Sequence, residues 1–180
     1  SENKEYNSGS IYTPNTASFA AYNDAVKSYT RAADTFTNQS KAYEEYLAQG
    51  FGAALAFNQD GIVRGSAVLV TLGQGKPSEK IVKEDAAFLL SFDKGSSKQS
   101  YLDADWYEKG GSSEQKNLNL EAFNKYKKLP TIIETFEKWD VLRADKIGDE
   151  AGFQFTFLGS GNEYQRAKEI KATNGNLILP

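Results

Sequence analysis

The N-terminal third of the chain carries a helical pattern of hydrophobic residues. From residue 18 onward, apolar side chains recur at alternating spacings of three and four, which places them on one side of a helix. The pattern continues through Tyr43 and Leu47, but residues 37–40 are weak helix formers. We therefore predict a kink or two consecutive helices that end near Gly50. The predicted stripe consists of Phe19, Tyr22, Val26, Tyr29, Ala33 and Phe36.

Shorter apolar runs follow and predict strands. Residues 53–57 and 62–72 flank a turn-forming sequence, residues 58–61, that has a glycine at its last position. This arrangement predicts a β-hairpin, and Gly65 is placed for a bulge in its second strand. Further strands are predicted over residues 81–82, 86–92 and 101–107.

The last third of the chain repeats the order of helices and then strands. Helical spacing predicts helices over residues 120–126 and 130–142, the second with Pro130 in its first turn. Alternating aromatic and polar residues predict a strand over 153–157. Residues 164–170 and 177–179 complete a predicted terminal meander.

These elements together predict an α+β fold. Because the links between successive strands are short, we expect a single domain with a curved, mainly antiparallel sheet, against which N-terminal and central helices pack. Residues 1–17 are polar and are predicted to form a leader ordered against its own or a neighbouring domain. Residues 18–180 form the predicted α+β domain.

Composition narrows the chemistry that this fold can perform. The 180 residues include no Cys, Met or His, and the formal net charge is -3. Thiolate nucleophiles, disulfides, thiolate zinc sites and Ser-His-Asp triads are therefore excluded, whereas carboxylate pairs and oxygen-based cation sites remain. An acidic chain also lacks the basic field on which nucleic-acid binding depends. We predict no cofactor and no nucleic-acid partner.

The sequence also gives indications of the cellular location of the protein. No apolar run is long enough to span a bilayer, and the sequence begins at Ser1 rather than at Met. Since an exported protein loses its signal peptide and gains from having no oxidisable sulfur, we predict a secreted, periplasmic or cell-surface location. A removed lipid anchor ahead of the polar leader stays open.

Candidate site residues cluster in the predicted strand 101–107. Asp103 and Asp105 share one face of it, but the glycine and terminal glutamate of a calcium loop are missing, so a metal site is not predicted. The aromatic residues Tyr101, Trp106 and Tyr107 flank a Gly-rich loop. Rings with polar tips stack on sugars or partner proteins, and these three are the predicted ligand-binding residues.

The leading interpretation is a non-enzymatic binding or adhesion module outside the cytoplasm that recognises a glycan, small ligand or partner protein through an aromatic surface. One alternative is a carboxylate-dependent hydrolase of cell-wall glycan, for which Glu45 and Asp60 are a candidate pair. Another is a subunit of an ordered extracellular assembly or homo-oligomer, in which the polar leader or residues 177–179 pair with a neighbour's sheet edge.

Overall fold

Helices pack on a six-stranded sheet in the part of the chain that the computed structural model describes, residues 25–37, 40–92 and 118–180. The helices are α1 (Ala32–Thr35), α2 (Ser40–Ala48), α3 (Pro77–Lys80), α4 (Leu118–Tyr126), α5 (Lys138–Ala151) and α6 (Ala167–Ala172), with a 3-10 helix at Glu163–Arg166. The strands are β1 (Ala53–Ala56), β2 (Val63–Thr71), β3 (Ile81–Ser91), β4 (Thr131–Glu134), β5 (Phe155–Leu158) and β6 (Asn176–Ile178).

The strands lie in the sheet in the same order as in the chain. Strands β1, β2 and β3 pair antiparallel, and this part contains the two longest strands. Strands β3 to β6 pair parallel, with helices crossing between β4, β5 and β6. The predicted α+β fold with a curved sheet is confirmed, as are the first hairpin and the bulge at Gly65.

Two predicted elements near the C-terminus are wrong. Residues 131–134 form strand β4 rather than the start of a helix, because the β-branched pair Ile132 and Ile133 suits a strand held between two neighbours. Residues 163–172 are helical rather than a strand. Since this helical segment carries the chain from β5 to a parallel β6, the predicted antiparallel meander is absent from the described residues.

The predicted N-terminal helix is also wrong over residues 25–31. These residues run alongside β2, and their backbone bonds to it: Lys27 N–H donates to Val63 O at 2.8 Å, and Ser66 N–H donates to Thr30 O at 3.0 Å. Val26 is buried as predicted, whereas Tyr29 is 48% exposed. The predicted stripe is therefore only partly core, and its first two residues, Phe19 and Tyr22, lie outside the described residues.

The main core lies between the sheet and helices α4, α5 and α6. It is rich in aromatic rings, and Phe88 meets Phe123 edge to face at 5.2 Å between centroids. None of the described helices has the length and apolar composition that crossing a membrane would require.

Candidate functional site: a cleft at the carboxyl end of β3

The direction of strand pairing changes at β3, which is antiparallel to β2 and parallel to β4. This change brings the first residues of β2 beside the carboxyl ends of β3 and β4. Open sheets with parallel strands bind ligands at the carboxyl ends, where the topology changes. A cleft of about 540 Å³ lies at this place, lined by Ala25, Lys27, Gln59, Asp60, Gly61, Ile62, Arg64, Ser91 and Phe136.

Lys27 reaches the cleft because the chain segment that carries it is fixed to β2. Gly61 has a φ of +89°, and a Cβ there would lie 2.8 Å from the carbonyl oxygen of Ala25, so only glycine allows this close approach. The Lys27 ammonium pairs with the carboxylate of Asp60, and this hydrogen bond lowers the pKa of Asp60. One wall of the cleft is therefore an ion pair.

Arg64 forms a second ion pair that joins β2 to the end of β4. Its side chain is only 7% exposed, and its Nη1 lies 2.7 Å from Oε2 of Glu134. Its Nε also donates to the carbonyl oxygen of Gly61 at 3.1 Å. These two contacts position the guanidinium beside the cleft.

Ser91, the last residue of β3, contributes a buried hydroxyl. The residue is 1% exposed, and its backbone N–H donates to Ile62 O at 2.7 Å. Its Oγ has no hydrogen-bond partner among the described residues. A buried hydroxyl normally has a partner, so the hydrogen-bonding capacity of this one is unused among the described residues.

Phe136 forms the apolar wall of the cleft and is 52% exposed. The loop that carries it follows β4 and is tied to the first turn of α5. The backbone N–H groups of Phe136 and Glu137 donate to Oδ2 of Asp140 at 3.2 and 3.1 Å. This cap fixes the direction in which the chain leaves β4.

A second polar feature lies at the carboxyl end of β5. Glu163 is 2% exposed, and its carboxylate accepts hydrogen bonds from the N–H of Ser160 at 2.6 Å and of Gly161 at 2.8 Å. Burial alone would raise the pKa of Glu163, but these hydrogen bonds outweigh it and lower the pKa. The backbone of this loop therefore surrounds the carboxylate of Glu163.

An ion-pair network on Arg31 fixes the segment 25–37 to β3. Arg31 Nη2 lies 2.6 Å from Oε2 of Glu84, and its Nε lies 3.2 Å from Oδ1 of Asp85. Burial favours a raised pKa for Asp85, but hydrogen bonds from Ser66 and Arg31 lower it. From α4, Lys125 Nζ lies 3.6 Å from Oδ2 of Asp85.

The sequence predictions identified only part of this cleft. Tyr101, Trp106 and Tyr107 lie outside the described residues, as do Asp103 and Asp105. Asp60 lines the cleft, whereas Glu45 is exposed on α2 and does not. Lys27, Arg64, Ser91 and Phe136 were missed, because no sequence motif distinguishes them from ordinary strand and loop residues. No group of three acidic residues suited to a metal ion occurs within residues 25–37, 40–92 and 118–180.

Comparison with known proteins adds one structural likeness. No family model and no curated protein matches this sequence. The structure is similar to the crystal structure of an amidohydrolase from Thermotoga maritima MSB8, with a TM-score of 0.75 and 19% identity. The match covers 87% of this chain and 49% of that one, so this chain spans about half the length of the amidohydrolase. At this identity the likeness shows a shared fold.

Proposed function

We propose that this chain is a binding module for a small polar molecule, which it holds in the cleft at the carboxyl end of β3. The observation that carries the proposal is that Ser91, a residue of the cleft lining, has a buried hydroxyl with no partner among the described residues. A bound molecule would supply the missing hydrogen bond. The ion pairs of Lys27 and Arg64 and the ring of Phe136 complete a wall with both polar and apolar parts.

Ser28 provides a matched control for testing this proposal. Both Ser28 and Ser91 are buried, and neither hydroxyl has a hydrogen-bond partner among the described residues, but only Ser91 lines the cleft. Replacing either by Ala removes an unsatisfied polar group and should leave thermal stability unchanged or slightly raised. The two variants should therefore differ only in binding.

The experiment is a thermal-shift screen of small polar molecules, followed by calorimetric titration of those that stabilise the protein. We expect Ser91→Ala to weaken binding about five- to tenfold, the loss of one hydrogen bond, and Ser28→Ala to leave it unchanged. If the two substitutions change binding equally, the ligand does not bind in the cleft. If no molecule binds in the screen, the proposed function is wrong.

A hydrolase remains the second candidate, because the structure is similar to a protein named an amidohydrolase and because the carboxylate of Asp60 lines the cleft. The same protein samples can be incubated with small amides while amine release is measured. Turnover that disappears in Asp60→Asn would favour the hydrolase, whereas binding without turnover would favour the binding module. A glycan ligand, a place outside the cytoplasm, a lipid anchor and self-association remain predictions from the sequence.

A further inference from the structure

We infer that an aromatic surface at the carboxyl ends of β4 and β5 binds an uncharged oligosaccharide. Three exposed rings form this ring surface: Phe136 follows β4, Trp139 lies in the first turn of α5, and Tyr164 lies in the 3-10 helix after β5. Their exposed fractions are 52%, 39% and 75%. Phe136 also lines the cleft, so the ring surface continues outward from it. The inference does not depend on a ligand in the cleft.

Side-chain contacts hold the first turn of α5 against the 3-10 helix. The guanidinium of Arg166 lies over the ring of Trp139, at 4.3 Å from the ring centroid. The ammonium group of Lys138 donates a hydrogen bond to Oε1 of Gln165, the residue that follows Tyr164. Because these contacts join the two elements, Trp139 and Tyr164 are carried at the same end of the sheet. This is the end at which sheets with parallel strands bind their ligands.

The area of the ring surface suits a ligand smaller than a protein. Since an aromatic side chain has about 150–250 Å² of surface to bury, the three rings together expose roughly 300 Å². A stable protein interface buries about 800 Å² on each partner. Exposed patches of a few hundred Å² are often functional. A chain of a few sugar units therefore fits this surface better than a protein does.

The charged groups beside the rings suit hydroxyl groups better than ions. Arg166 Nη1 lies 2.9 Å from Oε1 of Glu169, and Arg143 Nη1 lies 3.2 Å from Oε1 of Glu137. An ion would have to compete with these internal partners, whereas a hydroxyl group can donate to the carboxylate and accept from the guanidinium of the same pair. A sugar combines such hydroxyl groups with an apolar C–H face that can pack on an aromatic ring. An uncharged oligosaccharide therefore matches both parts of the surface.

The test is calorimetric titration of the full chain with β-linked hexamers of glucose, N-acetylglucosamine, mannose and xylose. We expect at least one hexamer to bind, and Tyr164→Ala to weaken that binding at least about fivefold through the loss of one stacking contact. Because Tyr164 is largely exposed, this substitution should leave the melting temperature unchanged. Tyr46→Ala, which replaces a half-exposed tyrosine on α2, is the matched control and should leave binding unchanged.

A second control separates this inference from the proposed function. Ser91→Ala should weaken binding in the cleft but leave oligosaccharide binding unchanged. If Ser91→Ala weakens oligosaccharide binding and Tyr164→Ala does not, the sugar binds in the cleft and the inference is wrong. It is also wrong, whatever binds in the cleft, if none of the four hexamers binds. In that case, self-association that light scattering detects and that Tyr164→Ala abolishes would make the ring surface a protein contact instead.

Discussion

The buried carboxylate of Glu163 organises the loop at the carboxyl end of β5. It accepts hydrogen bonds from two backbone N–H groups, those of Ser160 and Gly161, and from the Ser160 hydroxyl at 3.1 Å. A Cβ at Gly159 would lie 2.8 Å from Cδ of Glu163, so a side chain there would displace the carboxylate from this position. The loop and its carboxylate therefore form one packed unit, which accounts for the short, glycine-rich sequence at this place.

We predict that Glu163→Gln destabilises the protein by about 2 kcal/mol, because an amide cannot accept all of these hydrogen bonds and its own N–H₂ group then needs a partner. The folded-state pKa of Glu163 lies below its unfolded value, so its stabilisation is fully present above about pH 4.3 and is lost as the pH falls through the folded pKa. Urea unfolding between pH 3 and pH 7 should give the variant the flatter profile. Glu45→Gln, on the exposed face of α2, should match the wild type, and a wild-type profile for Glu163→Gln would contradict the prediction.

At the scale of elements, the segment 25–31 packs against strand β2 because Gly61, just before the strand, and Gly65, within it, have positive φ angles. Gly65 has a φ of +80°, and a Cβ there would lie 1.9 Å from the carbonyl oxygen of Thr30. The register of β2 against β3 also shifts at this residue. Gly65 thus allows the bulge and the close approach of the segment that brings Lys27 to the cleft.

Gly65→Ala should therefore cost about 3 kcal/mol or more, because backbone atoms on both sides must move apart and the alanine must adopt a left-handed conformation. Gly73→Ala is the control, since its Cβ would meet nothing within 4 Å. Chemical denaturation of both variants checks the prediction. A loss below about 1 kcal/mol for Gly65→Ala would show that the segment 25–31 does not pack on β2 as described.

The elements that could be predicted from the sequence are those with one unambiguous period. Residues 53–57 and 153–157 form a short apolar run and an alternating pattern, and the structure has strands there, at Ala53–Ala56 and Phe155–Leu158. Residues 131–134 were mistaken for helix because Ile132, Ile133 and Phe136 also fit helical spacing, and the parallel neighbours that favour a strand are distant in sequence. The helix predicted from the spacing of Val26 and Tyr29 is wrong for a similar reason, because backbone pairing with β2 overrides that spacing.

At the scale of the whole molecule, aromatic packing forms much of the described core. The core is closed by aromatic contacts such as that between Phe155 and Phe157, at 6.2 Å between centroids. We therefore predict that EDTA leaves the melting temperature unchanged in differential scanning calorimetry. A fall that added Ca²⁺ reverses would instead indicate a cation site, and Asp103 and Asp105, outside the described residues, would be the first pair to replace.

The cleft could not be predicted from the sequence because it is a product of topology. Four separate stretches of the chain contribute to its lining, with Lys27, Asp60, Ser91 and Phe136. They meet only because β3 pairs antiparallel on one side and parallel on the other. Their residue types are common on any surface, so no spacing marks them. Composition limits the polar groups that any such cleft can offer, since the chain has neither Cys nor His.

The agreement between strand order in the sheet and order in the chain has a consequence for synthesis. Each strand from β2 to β6 pairs with the strand that precedes it in sequence, so a nascent chain leaving the ribosome always has an edge on which the next strand can add. Among the described strands, none has to wait for a strand later than the next one, which limits the time that an unpaired edge is exposed to aggregation. Such a sheet can grow vectorially, from β1 toward β6, while translation is still under way.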